Sequence, residues 1–193
     1  MLVLVIGLLV FLGIHSIGLF ATGWRAEKID RLGVGAWKGI YALVALVGLA
    51  LIVWGYGQAR LSPIWLWIPP EWTRHLAALL TILAFILLVA TYLPGSKIKA
   101  RVGHPMLLGV KFWAIAHLLA NGTVADVLLF GSFLAWAIAL FVVLRRRDRR
   151  AGVIRAPGRA SRDALVVVVG LIAWVVFAMW LHGLLIGVRP FGG

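Results

Sequence analysis

Apolar residues run along this chain in long blocks separated by short polar connections. Six blocks stand out, at 2–20, 39–56, 75–92, 105–120, 124–144 and 164–186, the fourth being the shortest. A helix of ~20 apolar residues matches the ~30 Å hydrocarbon slab of a bilayer. The pattern therefore predicts an all-α, polytopic integral membrane bundle of about six transmembrane helices, forming one domain over 1–193. No basic residue precedes the first block and its small-residue cleavage pattern is poor, so it reads as a retained span and not as a signal peptide.

The connections differ in kind. "QARLSPIWLWIPPEWTRH", between blocks two and three, carries Pro69 and Pro70, which prevent a continuous helix. Its Trp65, Trp67 and Trp72 suit the headgroup boundary, so it reads as an interfacial segment. "ANGT" at 120–123 reads as a tight turn. Gly35 and Gly39 have GxxxG spacing, while Gly48 and Gly55 are seven apart on one helical face. Both patterns let helices approach closely in lipid. Ordinary bundle packing accounts for them, and a homo-oligomer is compatible with them.

Composition agrees with the blocks. Of 193 residues 63% are hydrophobic and 13% charged, with mean hydropathy +1.05, more apolar surface than one soluble core of this size hides. The formal charge of +13 raises nucleic acid as a partner, but its placement argues against it. Sixteen of the 19 basic residues fall in alternate connections or just inside their edges. These are Arg25 to Lys38, Lys97 to Lys111, and the run from Arg145 to Arg162. The positive-inside rule makes that side cytoplasmic, which leaves both termini on the outer side of the membrane. The loop "RRRDRRAGVIRAPGRASRD" is expected to lie on anionic lipid.

The six acidic residues, Glu27, Asp30, Glu71, Asp126, Asp148 and Asp163, all sit in connections or at block ends. That argues against a di-iron carboxylate site and a carboxylate proton relay. With no cysteine, thiolate ligands and covalent haem attachment are excluded. What the blocks do contain is histidine, whose burial favours the neutral, metal-ligating form. His117 lies ~18 Å into block four by helix rise, on a stripe with Val110, Ala114 and Asn121. An interhelical hydrogen bond and a cofactor ligand explain that stripe equally well. His15, about two turns from the inner end of block one, has Ser16 as its only polar neighbour there. On this geometry His15 and His117 differ in depth by under ~10 Å, a span that a tilted porphyrin with one imidazole on each face would cover. Lys111, on a face with His104, snorkels to headgroups or pairs an anionic cofactor group. His75 reads as interfacial, and His182, in the outer part of block six, is a further candidate. No HxxxH or HExxH spacing is present.

The chain resembles the NnrU family through "FLGIHS" (11–16), "GYGQAR" (55–60), "PPEWTRHLA" (69–77), "YLPGSKIKARVGHPML" (92–107), "VKFWAIAHLLANG" (110–122) and "LFGSFLAWA" (129–137). The family takes its name from bacterial gene clusters for nitrite and nitric-oxide metabolism, so the resemblance implies a denitrification-linked setting. That family is similar in turn to the membrane-bound zeta-carotene cis–trans isomerases, which hold haem b. Carried over, the resemblance implies haem b with His15 and His117 as axial ligands of its iron. The isomerases have a cysteine, implicated in ligand switching, where this chain has Ala114, and an arginine where it has Gly103. Three functions are thus expected to compete: a haem b protein of redox or nitrogen-oxide physiology, a polyene isomerase, and a haem-free scaffold or small-molecule transporter.

Overall fold

The computed structural model describes residues 1–191, and every named element in it is helical. The elements are α1 (Leu2–Phe20), α2 (Thr22–Leu61), α3 (Trp72–Tyr92), α4 (Lys97–Val102), α5 (Pro105–Ala120), α6 (Val124–Arg150), α7 (Ala160–Val176) and α8 (His182–Ile186). A π-helical turn, Phe177–Leu181, joins the last two. Five of these helical stretches are long and apolar enough to cross a membrane, α7 to α8 counting as one, and Pro105–Ala120 is a shorter apolar helix. The fourth apolar block is thus the weakest span in the structure as it is in the sequence. Broadly exposed leucines, isoleucines and valines fit a protein whose outer solvent is lipid.

Several boundaries move. Block two is the second part of a longer helix that breaks at Gly33, whose φ of 80° lies where only glycine sits without strain. Residues 22–32 are therefore a separate segment rich in charge, and residues 34–61 carry the apolar block. Block five continues to Arg150 because the basic run extends the helix beyond its apolar part. The connection after α3 contains the short helix α4, started by Ser96, whose hydroxyl accepts from the Lys99 N–H at 3.0 Å.

The chain forms two compact units, Met1–Trp67 with Gly122–Trp136, and Ile68–Asn121 with the chain from Ala137 onward. In the first, α1 packs along α2. Gly55 lies so close to the backbone of Leu4 that a Cβ would overlap it, and Gly48 stands in the same relation to Phe11. Leu4 is fully buried there. The GxxxG pair behaves otherwise: nothing lies within 4 Å of a Cβ at Gly35 or Gly39. The Pro/Trp segment is more than interfacial padding. Leu66 N–H donates to Gly122 O at 2.8 Å and Val124 N–H to Ile64 O at 2.9 Å, which pins the 120–123 turn. Trp65 and Trp72 are still mostly exposed.

In the second unit α3 packs on α5 and α7. Trp174 Nε1 donates to Thr81 Oγ1 at 2.9 Å, and Ala84, Leu87, Ala90, Leu107 and Ala114 are buried. The basic connection folds back on α4: Arg159 N–H donates to Gly95 O at 2.8 Å, and Ile98 N–H donates to the Asp163 carboxyl at 3.1 Å.

Candidate functional site

His15 sits in the last turns of α1, and its surroundings are aromatic. Its ring centroid is 4.2 Å from Phe11, 5.5 Å from Tyr41 and 6.3 Å from Trp136, the last two edge-on. Nδ1 donates to the Phe11 carbonyl at 2.7 Å. A carbonyl only accepts, so Nδ1 carries a proton. Ser16 is the second polar anchor: it donates to Leu12 O at 2.6 Å and accepts from Trp136 Nε1 at 2.9 Å. The pair "HS" thus fastens α1 to α6.

His117, in the last turn of α5, repeats that arrangement, with Nδ1 donating to Trp113 O at 2.8 Å and the two rings 5.2 Å apart. Ala114, on the same stripe, is fully buried. Asn121 closes the helix: its backbone N–H and its Nδ2 both donate to His117 O at 2.9 Å, and its extended backbone ends the element. Its polarity therefore serves the helix end. His15 belongs to the first unit and His117 to the second.

His104 and Lys111 do come together. Lys111 Nζ lies 3.8 Å above the Phe141 ring, and His104 meets the same ring edge-on at 6.1 Å. His104 Nε2 is 2.9 Å from Asp148 Oδ2, and the Arg155 guanidinium hydrogen-bonds that same oxygen. Arg155 foremost, with His104 adding to it, holds the Asp148 carboxyl below the usual carboxylate range. A small cavity of about 190 Å³ opens beside this clasp between Arg145, Asp148 and Arg155. His182 Nδ1 donates to Val188 O at 2.6 Å. His75 is exposed near the start of α3.

One polar centre has no counterpart in the sequence reading. Asp126 is 4% exposed and takes three hydrogen bonds. They come from Tyr56 OH at 2.6 Å, Thr123 N–H at 2.8 Å and Thr123 Oγ1 at 2.6 Å. The Asp126 N–H returns a long one to Thr123 Oγ1, 3.3 Å, which makes Thr123-x-x-Asp126 a capping box. That motif was legible in "TVAD"; its tie to Tyr56, seventy positions away, was not.

Among the described residues no three or more His, Cys, Asp or Glu side chains gather to hold a metal ion. No curated protein and no solved structure matches the chain. A family model described as NnrU protein matches residues 3–190, nearly the whole length. The likeness of the separated sequence blocks and this continuous match agree, and the chain belongs to the NnrU family.

Proposed function

We propose that this NnrU-family protein binds haem b in the bacterial inner membrane and acts in redox physiology linked to nitrite and nitric oxide, with its basic connections on the cytoplasmic side against anionic lipid. The observation that carries the reading is the shared state of His15 and His117. Each lies in an apolar helix against an aromatic ring, Phe11 for His15 and Trp113 for His117, and each commits Nδ1–H to the carbonyl four residues back. Ligating histidines characteristically spend their other nitrogen on such a carbonyl, which fixes the tautomer and aims Nε2 at the metal. Neutral imidazoles in apolar surroundings are the donor set that haem b takes without a covalent link. The two histidines are accordingly the axial-ligand candidates, each judged within its own unit. Bound haem supplies one-electron chemistry and an iron that binds nitric oxide. The chain's part is to present the imidazoles and keep water away.

Visible spectra of the detergent-purified protein, oxidised and dithionite-reduced, test this beside His15→Ala and His117→Ala. A sharp Soret band with reduced α and β bands, lost or shifted in each variant, is expected. A folded, colourless protein from a haem-replete host would end the reading.

A further inference from the structure

The break at Gly33 has a structural consequence. Residues 22–32 and 34–61 face the last turns of α1 as two separate walls, and a cavity of about 500 Å³ lies between them. That is room for one small-molecule ligand. α1 contributes Ile14, His15 and Ile17. The first α2 segment contributes Arg25 and Ile29, four apart on one face. The second contributes Trp37 and Tyr41, also four apart, and Lys38. Trp37 is buried, so the inner wall is apolar and aromatic. Arg25 and Lys38 are exposed and mark the rim.

The charge of this cavity is one-sided. Its lining includes two cations and no carboxylate. Among the described residues neither Arg25 nor Lys38 takes part in an ion pair, whereas Arg31, on the same segment, is paired with Glu27 at 3.0 Å. A cationic rim over an apolar floor concentrates anions at the mouth and rewards burial of hydrocarbon below it. A small hydrophilic anion would leave the floor unused, and a neutral apolar molecule would leave the rim unused.

We propose that this cavity is a binding site for a carboxylate-bearing apolar molecule, with the carboxylate held by Arg25 and Lys38 and the apolar body against Trp37, Tyr41 and the isoleucines. A carboxylated porphyrin and a long-chain fatty acid share this chemistry. The site needs no iron, so it stands or falls apart from the haem reading.

The test uses the full chain in nanodiscs of phosphatidylcholine, with protein-free discs as the partition control. The probes are metal-free protoporphyrin IX and its dimethyl ester, and oleate and methyl oleate. At least one acid is expected to bind at least tenfold more tightly than its ester, and which acid does so identifies the source. Arg25→Gln with Lys38→Gln is expected to erase that preference while leaving the weak ester binding unchanged. Gly18→Leu enters the same cavity where a Cβ meets nothing within 4 Å. It is expected to weaken acid and ester alike with unchanged thermal stability. Equal binding of acid and ester, full acid affinity in the Arg25/Lys38 variant, or no binding above the control discs would each overturn the proposal. Because the probes carry no iron, acid selectivity in a preparation that shows no haem spectrum supports this site and leaves the haem reading to its own test.

Discussion

Replacing Asp126 by alanine should be among the most damaging single changes at the ends of the helices, and the structure sets its size. The side chain is buried and accepts from Tyr56 OH and from both Thr123 donors. Hydrogen bonds to a charged acceptor contribute about 1.5–3 kcal/mol each, and a buried donor left without a partner costs about 1–3 kcal/mol. Loss of the cap adds about 1 kcal/mol. Asp126→Ala strands the Tyr56 hydroxyl and the Thr123 N–H together, so a loss of about 3 kcal/mol or more follows. Tyr56→Phe keeps the edge-on ring contact with Phe130 at 6.3 Å and removes only the hydroxyl. A double-mutant cycle on the two, read by reversible SDS-induced unfolding in mixed micelles, should give a coupling of about 1.5–3 kcal/mol. Hydrogen bonds between membrane helices average about 0.6 kcal/mol in such cycles. A coupling at or below that average would show that Asp126 stabilises through its cap alone, and the reasoning about the Tyr56 tie would fail.

Three further outcomes are expected. Gly55→Leu should destabilise the chain by about 1–3 kcal/mol or more, as overpacking does, while Gly35→Leu, with open space around it, should leave the same unfolding midpoint nearly unchanged. Phe141→Leu should cost about 0.5–2 kcal/mol through the lost Lys111 contact, a penalty that Lys111→Met should abolish in a cycle. The Asp148 carboxyl titrates below its ordinary value. The stability it contributes is therefore fully present above the unfolded value of about 3.9 and is lost as pH falls through the lower folded one. The melting-temperature gap between wild type and Asp148→Asn should hold from neutral pH to about 5 and close below about 4, and the absence of any gap at neutral pH would refute the contribution.

Helix existence was legible because lipid demands only length and apolarity, and the blocks state both. Boundaries were less so, for a physical reason. The basic run after Leu144 has good helix formers and no cap, so α6 continues to Arg150 after its apolar signal has ended. Gly33 is one glycine among 22, and nothing local distinguishes the one that turns the chain from Gly35 or Gly39, which do not pack. GxxxG spacing marks a surface able to accept a neighbour. Whether one arrives depends on the partner, here Leu4 and Phe11 reaching Gly55 and Gly48.

The same distinction governs the polar residues. His15 and His117 could be singled out because an imidazole in an apolar block is expensive wherever it points, and the carbonyls that take their Nδ1 protons lie one turn back in the same helix. Tyr41 and Trp136 beside His15 could not, since an aromatic residue in a membrane helix costs nothing that demands explanation. Asp126 could not be singled out, for the opposite reason. At a block end a carboxylate has water within reach, yet residues 64–66 bond to the backbone of 122–124 and Asp126 is buried with its Tyr56 and Thr123 partners. A charged residue at the end of an apolar block is thus as costly as one inside it whenever the connection beyond returns to cover it. Where a connection carries prolines and tryptophans in place of charge, as residues 61–70 do, that return is the outcome to expect.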